Sequence, residues 1–124
     1  MKRILCLGDS NTFGYDPTSF IGEPYPHPWT ELLHSGGDQV ANCGQNGLDI
    51  ATCLEALESV ESLLTRANPL DWLLVMLGTN DILNGASAEK TARRMEQLLQ
   101  YIIPRPDGTK LFLTLDTICR AGFA

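Results

Sequence analysis

The feature that most constrains this chain is a short apolar run stopped by a polar turn, Ile4-Leu5-Cys6-Leu7 followed by Gly8-Asp9-Ser10-Asn11. Bounded by Lys2-Arg3 and Gly8, the run has the length of a buried strand and is too short for a helix. Comparable runs recur at Gln39-Val40-Ala41-Asn42-Cys43, Trp72-Leu73-Leu74-Val75-Met76-Leu77 and Lys110-Leu111-Phe112-Leu113-Thr114-Leu115. Between them the apolar spacing turns helical. From about Asp49 to Pro69, the residues Ile50, Cys53, Leu54, Leu57, Leu64 and Ala67 form one stripe, with Glu55, Glu58 and Glu61 toward water. Ser87 is placed to cap a later helix with a buried stripe of Ala88, Ala92, Met95, Leu99 and Ile102, stopped by Pro104. Trp29 to His34 reads as a short helix ended by Gly36-Gly37. Strands alternating with helices imply right-handed crossovers and a three-layer α/β/α arrangement around a parallel sheet of about four strands. The uninterrupted run at Trp72 predicts a central strand covered by helices on both faces.

Residues 1–124 read as a single domain, long enough to bury a core. A net charge of -6 repels phosphate backbones and anionic lipid, so neither nucleic acid nor a membrane is expected as a partner. The apolar run after Met1-Lys2-Arg3 stops too early for a signal peptide, and a cytoplasmic location is the expectation. Cys6, Cys43, Cys53 and Cys119 include no C-x-x-C pair, and buried reduced thiols are the reading, with a disulfide framework as the alternative.

Three polar corners each follow a strand: Gly8-Asp9-Ser10-Asn11, Gly44-Gln45-Asn46-Gly47 and Gly78-Thr79-Asn80-Asp81. If the strands are parallel, all three lie at one sheet edge, where open α/β sheets do their chemistry. A serine on a tight turn there is an acyl acceptor when backbone N–H groups lie beside it and a base takes its proton. Each residue also has a plainer role. Ser10 can cap a turn, Gly47 can serve only the turn's dihedral angles, and Asn80 can satisfy loop backbone. Asp9 and Asp81 are read as braces. The loop to Pro28, with Phe20, Tyr25, His27 and alternating prolines, is extended and either shapes a pocket or is a stiffened surface loop.

In order and spacing these three blocks resemble the SGNH/GDSL hydrolase family, and Cys6 through Pro17 looks most like its bacterial arylesterase or acyltransferase branch. The resemblance implies a flavodoxin-like sheet, Ser10 as nucleophile, and an oxyanion hole made of the Ser10 amide, the Gly47 amide and the Asn80 side chain. Fixed N–H donors stabilise the charge that builds on oxygen as a hydroxyl attacks an ester. The family's fourth block, Asp-x-x-His, has no counterpart here: the histidines are His27 and His34, and Asp116-Thr117-Ile118-Cys119 carries cysteine at the last position. The domain is therefore expected to be C-terminally incomplete, with an uncovered edge at the Lys110 strand through which copies associate. The function expected is a serine esterase on small acyl esters, weak or inactive for want of a base. The alternative is a non-catalytic acyl- or carbohydrate-binding module. A nucleotide or flavin binder is disfavoured by the absence of GxGxxG, and no metal or cofactor is expected.

Overall fold

The apolar runs form one sheet because each can saturate its backbone only against another. The computed structural model describes residues 1–34, 37–102 and 110–113; the side chains of 34 and 110–113 lie outside that set. Strands β1 (Arg3–Gly8), β2 (Gln39–Gly44), β3 (Trp72–Met76) and β4 (Lys110–Leu113) pair in the order β2-β1-β3-β4, all parallel. Gly8 is in register with Gly44 on one side and Met76 on the other, so three strands end level. The chain steps outward from β1 to β2 and then crosses back to β3. Right-handed crossovers put those two connections on opposite faces, and the order reverses at β1.

Strand residues alternate between the faces accordingly. Leu5, Leu7, Leu73, Val75 and Leu77 join Leu64 of α2 (Leu54–Ala67) and Leu98 and Ile102 of α4 (Ala88–Ile102) in the core. Each buried side chain of this size contributes roughly 1.5–3 kcal/mol. On the other face, Asn42 donates to the Thr12 carbonyl and Gly8 and Gly44 lie under α1 (Ser10–Phe13). There Cys6 is buried, while Ile4, Trp72, Leu74 and Met76 are half-buried. Among the described residues, the expected cover on both faces of β3 is thus complete on one side only.

Several boundaries move for local reasons. The helix expected from about Asp49 starts at Leu54, because the Ile50 N–H is drawn to Asp81 Oδ1 and Cys53 adopts an extended backbone. Leu54 and Cys53 are consequently exposed rather than in the stripe. In α4 the Ser87 hydroxyl accepts from Lys90 N–H as expected of a cap, and Met95, Leu99 and Ile102 pack against the core as read, but Thr91 and Leu98 also face inward and Ala92 faces water. Trp29–His34 is a 3₁₀ helix. Ser10–Phe13 and α3 (Thr79–Leu83), read as loops, are single helical turns. Gly36, Pro104, Leu115, Asp116 and Cys119 lie outside the described residues. Among the described residues no helix is long and apolar enough to cross a membrane.

Candidate active site

Ser10 is positioned by what precedes it. Asp9, fully buried and extended, accepts the Asn11 N–H on Oδ1 at 2.9 Å and so caps α1 at its first residue. Gly14 closes the turn in the left-handed region, with φ 83°, and donates its N–H to Ser10 O at 2.9 Å. Two glycines let this turn sit directly on the strand ends. A Cβ on Gly8 would lie 2.6 Å from Thr12 Cβ, and one on Gly44 would lie 2.7 Å from Phe13 Cα. Ser10 is half-buried, and among the described residues neither its hydroxyl nor its N–H is engaged in a hydrogen bond.

The second corner continues from β2, where Gln45 N–H extends the ladder to Gly8 O at 3.0 Å and Leu48 N–H closes the turn on Gln45 O at 3.2 Å. Gly47 has φ 78°, and a Cβ there would meet nothing within 4 Å. Its conformation, not crowding by protein atoms, therefore favours glycine, and the space above it is open to an incoming group. No described residue accepts its N–H.

Asn80 and Asp81 join this corner to the third. Asn80 Nδ2 donates one hydrogen to Leu48 O at 3.2 Å, which fixes the amide plane and leaves the second hydrogen available. Asp81 is 1% exposed; its Oδ1 accepts Ile50 N–H at 3.1 Å and its Oδ2 accepts Arg94 Nη1–H at 2.8 Å. The three corners are therefore one hydrogen-bonded rim, and the brace read into Asp9 and Asp81 is what both provide.

A cavity of about 310 Å³ opens beside Ser10, lined also by Tyr15, Tyr25, His27, Pro28 and Trp29. The proline-rich loop thus shapes a pocket. It is built as a hairpin, with Tyr15 bridged to Pro24, and its His27 lines the same cavity as Ser10. His27 Nδ1 lies 2.8 Å from Glu31 Oε2. A second cavity of about 290 Å³, lined by Leu7, Cys43, Leu48, Leu63 and Leu77 among others, lies under the Gly47 corner. Among the described residues no group of three His, Cys, Asp or Glu is placed to hold a metal ion.

Residues 6–123 match the profile of the GDSL-like Lipase/Acylhydrolase family. The chain belongs to this family. Similar solved structures include a carbohydrate acetylesterase family member from Sinorhizobium meliloti, at 24% identity and TM-score 0.76, covering 93% of this chain and 62% of that one. The inhibitor-bound aryl esterase of M. smegmatis is similar at 25% identity and TM-score 0.74, over 93% of this chain and 64% of that one. An SGNH-hydrolase family esterase is similar at 28% identity and TM-score 0.65, over 90% and 57%. The chain thus spans less than two thirds of these relatives' length. No curated protein matches it.

In this member of the GDSL-like Lipase/Acylhydrolase family, hydrogen bonds link the corner after β1 to the corner after β2, and that corner to the one after β3. Sequence reasoning missed Arg94. Its signal was a cation three residues after Thr91 and four before Leu98, on the inward side of α4. The three described cysteines are free: Cys6 is buried, Cys43 half-buried and Cys53 exposed, the last a correction to its place on an apolar face. Burial pushes the Cys6 thiol up to about 11, with the nearby Cys43 adding to the effect.

Proposed function

We propose that this chain is a serine ester hydrolase in which the Ser10 hydroxyl attacks small acyl esters and forms an acyl-Ser10 intermediate. The observation that carries the reading is the rim itself. Ser10 N–H and Gly47 N–H are uncommitted among the described residues, and Asn80 keeps one amide hydrogen beyond the one given to Leu48. Three fixed donors of this kind suit the oxyanion of a tetrahedral centre, and removing one such donor typically slows acyl transfer by about 10²–10³.

The alcohol of the ester is a small alcohol, a phenol or a sugar. Support comes from the ring-lined cavity next to Ser10 and from similarity to an aryl esterase and a carbohydrate acetylesterase. Among the described residues no imidazole is hydrogen-bonded to Ser10. Donors and binding alone leave a residual acceleration of about 10³–10⁴ over water. That same observation favours a second reading, a module that binds an acyl or carbohydrate ligand without cleaving it.

Reaction with a fluorophosphonate, read by intact mass and peptide mapping, separates the two. One adduct on Ser10, lost in Ser10→Ala, is the expected result. Saturable binding of an acetylated sugar with no adduct identifies the binding module instead.

A further inference from the structure

Asn80 and Asp81 are neighbours on α3, a helix of five residues. Consecutive helical side chains point roughly 100° apart, so one can face the rim while the next turns inward. Asn80 Nδ2–H donates to Leu48 O at 3.2 Å, and the buried Asp81 carboxylate accepts Ile50 N–H on Oδ1 at 3.1 Å. Asn84, which closes the helix, reaches Asp49 Oδ1 with its Nδ2 at 3.4 Å. These contacts tie α3 to the loop at 48–50. A helix this short has too few internal hydrogen bonds to hold its own place.

Two supports hold the pair from outside. On the loop side, the Ile50 side chain is buried in the core. On the helix side the support comes from α4, which runs for 15 residues and buries Leu98 and Ile102. Arg94 lies four residues before Leu98, on the same face, and its Nη1–H donates to Asp81 Oδ2 at 2.8 Å. Without that cation a lone carboxylate would stay where water does not reach it. Such a group takes up a proton or moves toward solvent. Either change disturbs Asp81, and Asn80 is the adjacent residue on the same turn.

We propose that Arg94 is a positioning residue for acyl transfer: through Asp81 it holds Asn80 where the amide can meet the oxyanion. The inference rests on the serine hydrolase reading above. Arg94 does not line the cavity beside Ser10, so its effect is one of alignment. A displacement of about 1 Å at a reacting centre, caused from a distance, can cost ~10²-fold in rate.

The test is fluorophosphonate labelling of Ser10 in the full chain, with the limiting rate and the half-saturating concentration measured separately. Arg94→Met is expected to lower the limiting rate by about 10–10² and to change the half-saturating concentration less than about threefold. Combining Arg94→Met with Asp81→Asn removes the buried charge along with its partner. The urea midpoint of this double variant moves back toward that of the unsubstituted chain while its limiting rate stays low. A residue needed only for stability would regain both, and where Arg94→Met alone does not fold the double variant carries the comparison. Adding Arg94→Met to Asn80→Ala costs less than about threefold further, because residues that act through one amide are not additive. A full limiting rate in either Arg94 variant, or losses that multiply with Asn80→Ala, overturns this proposal and leaves the serine reading standing. Absence of any adduct on the unsubstituted chain overturns both.

Discussion

Asn80 donates a side-chain N–H to the Leu48 carbonyl across 3.2 Å, and that bond ties the corner after β3 to the corner after β2. Leu48 is the residue after Gly47, so two of the three proposed oxyanion donors are held by one contact. Preorganisation of this kind means that little reorientation is needed as charge develops.

Replacing Asn80 with alanine removes a donor and the tether together. The rate at saturating p-nitrophenyl acetate is expected to fall by about 10²–10³, with a smaller change in KM. A change in KM alone would make Asn80 a tether and nothing more.

Arg94→Met leaves the Asp81 carboxylate buried without its cation. Breaking a buried pair from one side typically destabilises by about 3–5 kcal/mol, and because the Arg94 side chain is 27% exposed the lower end is expected. Asp81→Asn added to Arg94→Met should recover part of the loss, since a neutral acceptor still serves Ile50 N–H. Urea midpoints of the single and double variants measure the difference.

The two glycines that flank the second corner should respond differently. In Gly44→Ala the new methyl meets the Phe13 backbone, which cannot yield without displacing the Ser10 turn, and a loss of about 1–3 kcal/mol with impaired labelling is expected. In Gly47→Ala the methyl meets nothing, and the loss is about 1–2 kcal/mol from its positive φ alone. Thermal unfolding and labelling rates, read together, separate the two.

The Cys6 thiol is held up from 9.0 to about 11, chiefly by burial. Below 9.0 it is neutral folded and unfolded alike and its full contribution is present; above that value the unfolded chain ionises first, so stability drops as pH rises toward about 11. The loss amounts to about 2–3 kcal/mol. Cys43 is shifted up as well, also by burial, and acts in the same direction. Denaturation profiles of the chain and of Cys6→Ala across that range check it, the variant being flatter.

Among the described residues β4 has one neighbour, β3. An edge of this kind offers unpaired N–H and C=O groups to another strand. We therefore expect the chain to self-associate, with mass by light scattering rising with concentration. A constant monomer mass over a wide concentration range would remove the idea.

How far the sequence could be read depended on the range of the interaction. Strand runs such as Ile4–Leu7 and Trp72–Met76 were legible because a short apolar run bounded by polar turns has few other uses. The start of α2 was misplaced because Ile50 answers to Asp81, which lies 31 residues away. In α4 the stripe read from the sequence holds for Met95, Leu99 and Ile102 and missed Thr91 and Leu98. Periodicity cannot register a buried charge on another element.

The sequence by itself determined the alternation of strands and helices and the three polar corners, since these follow from local residue types and spacing. Only the tertiary structure decided that Asn80 is anchored on Leu48, that Arg94 closes on Asp81 and that the proline-rich loop lines a cavity with Ser10. Each of these joins residues that local propensity treats independently, and it is the level ending of three parallel strands that brings their loops within reach.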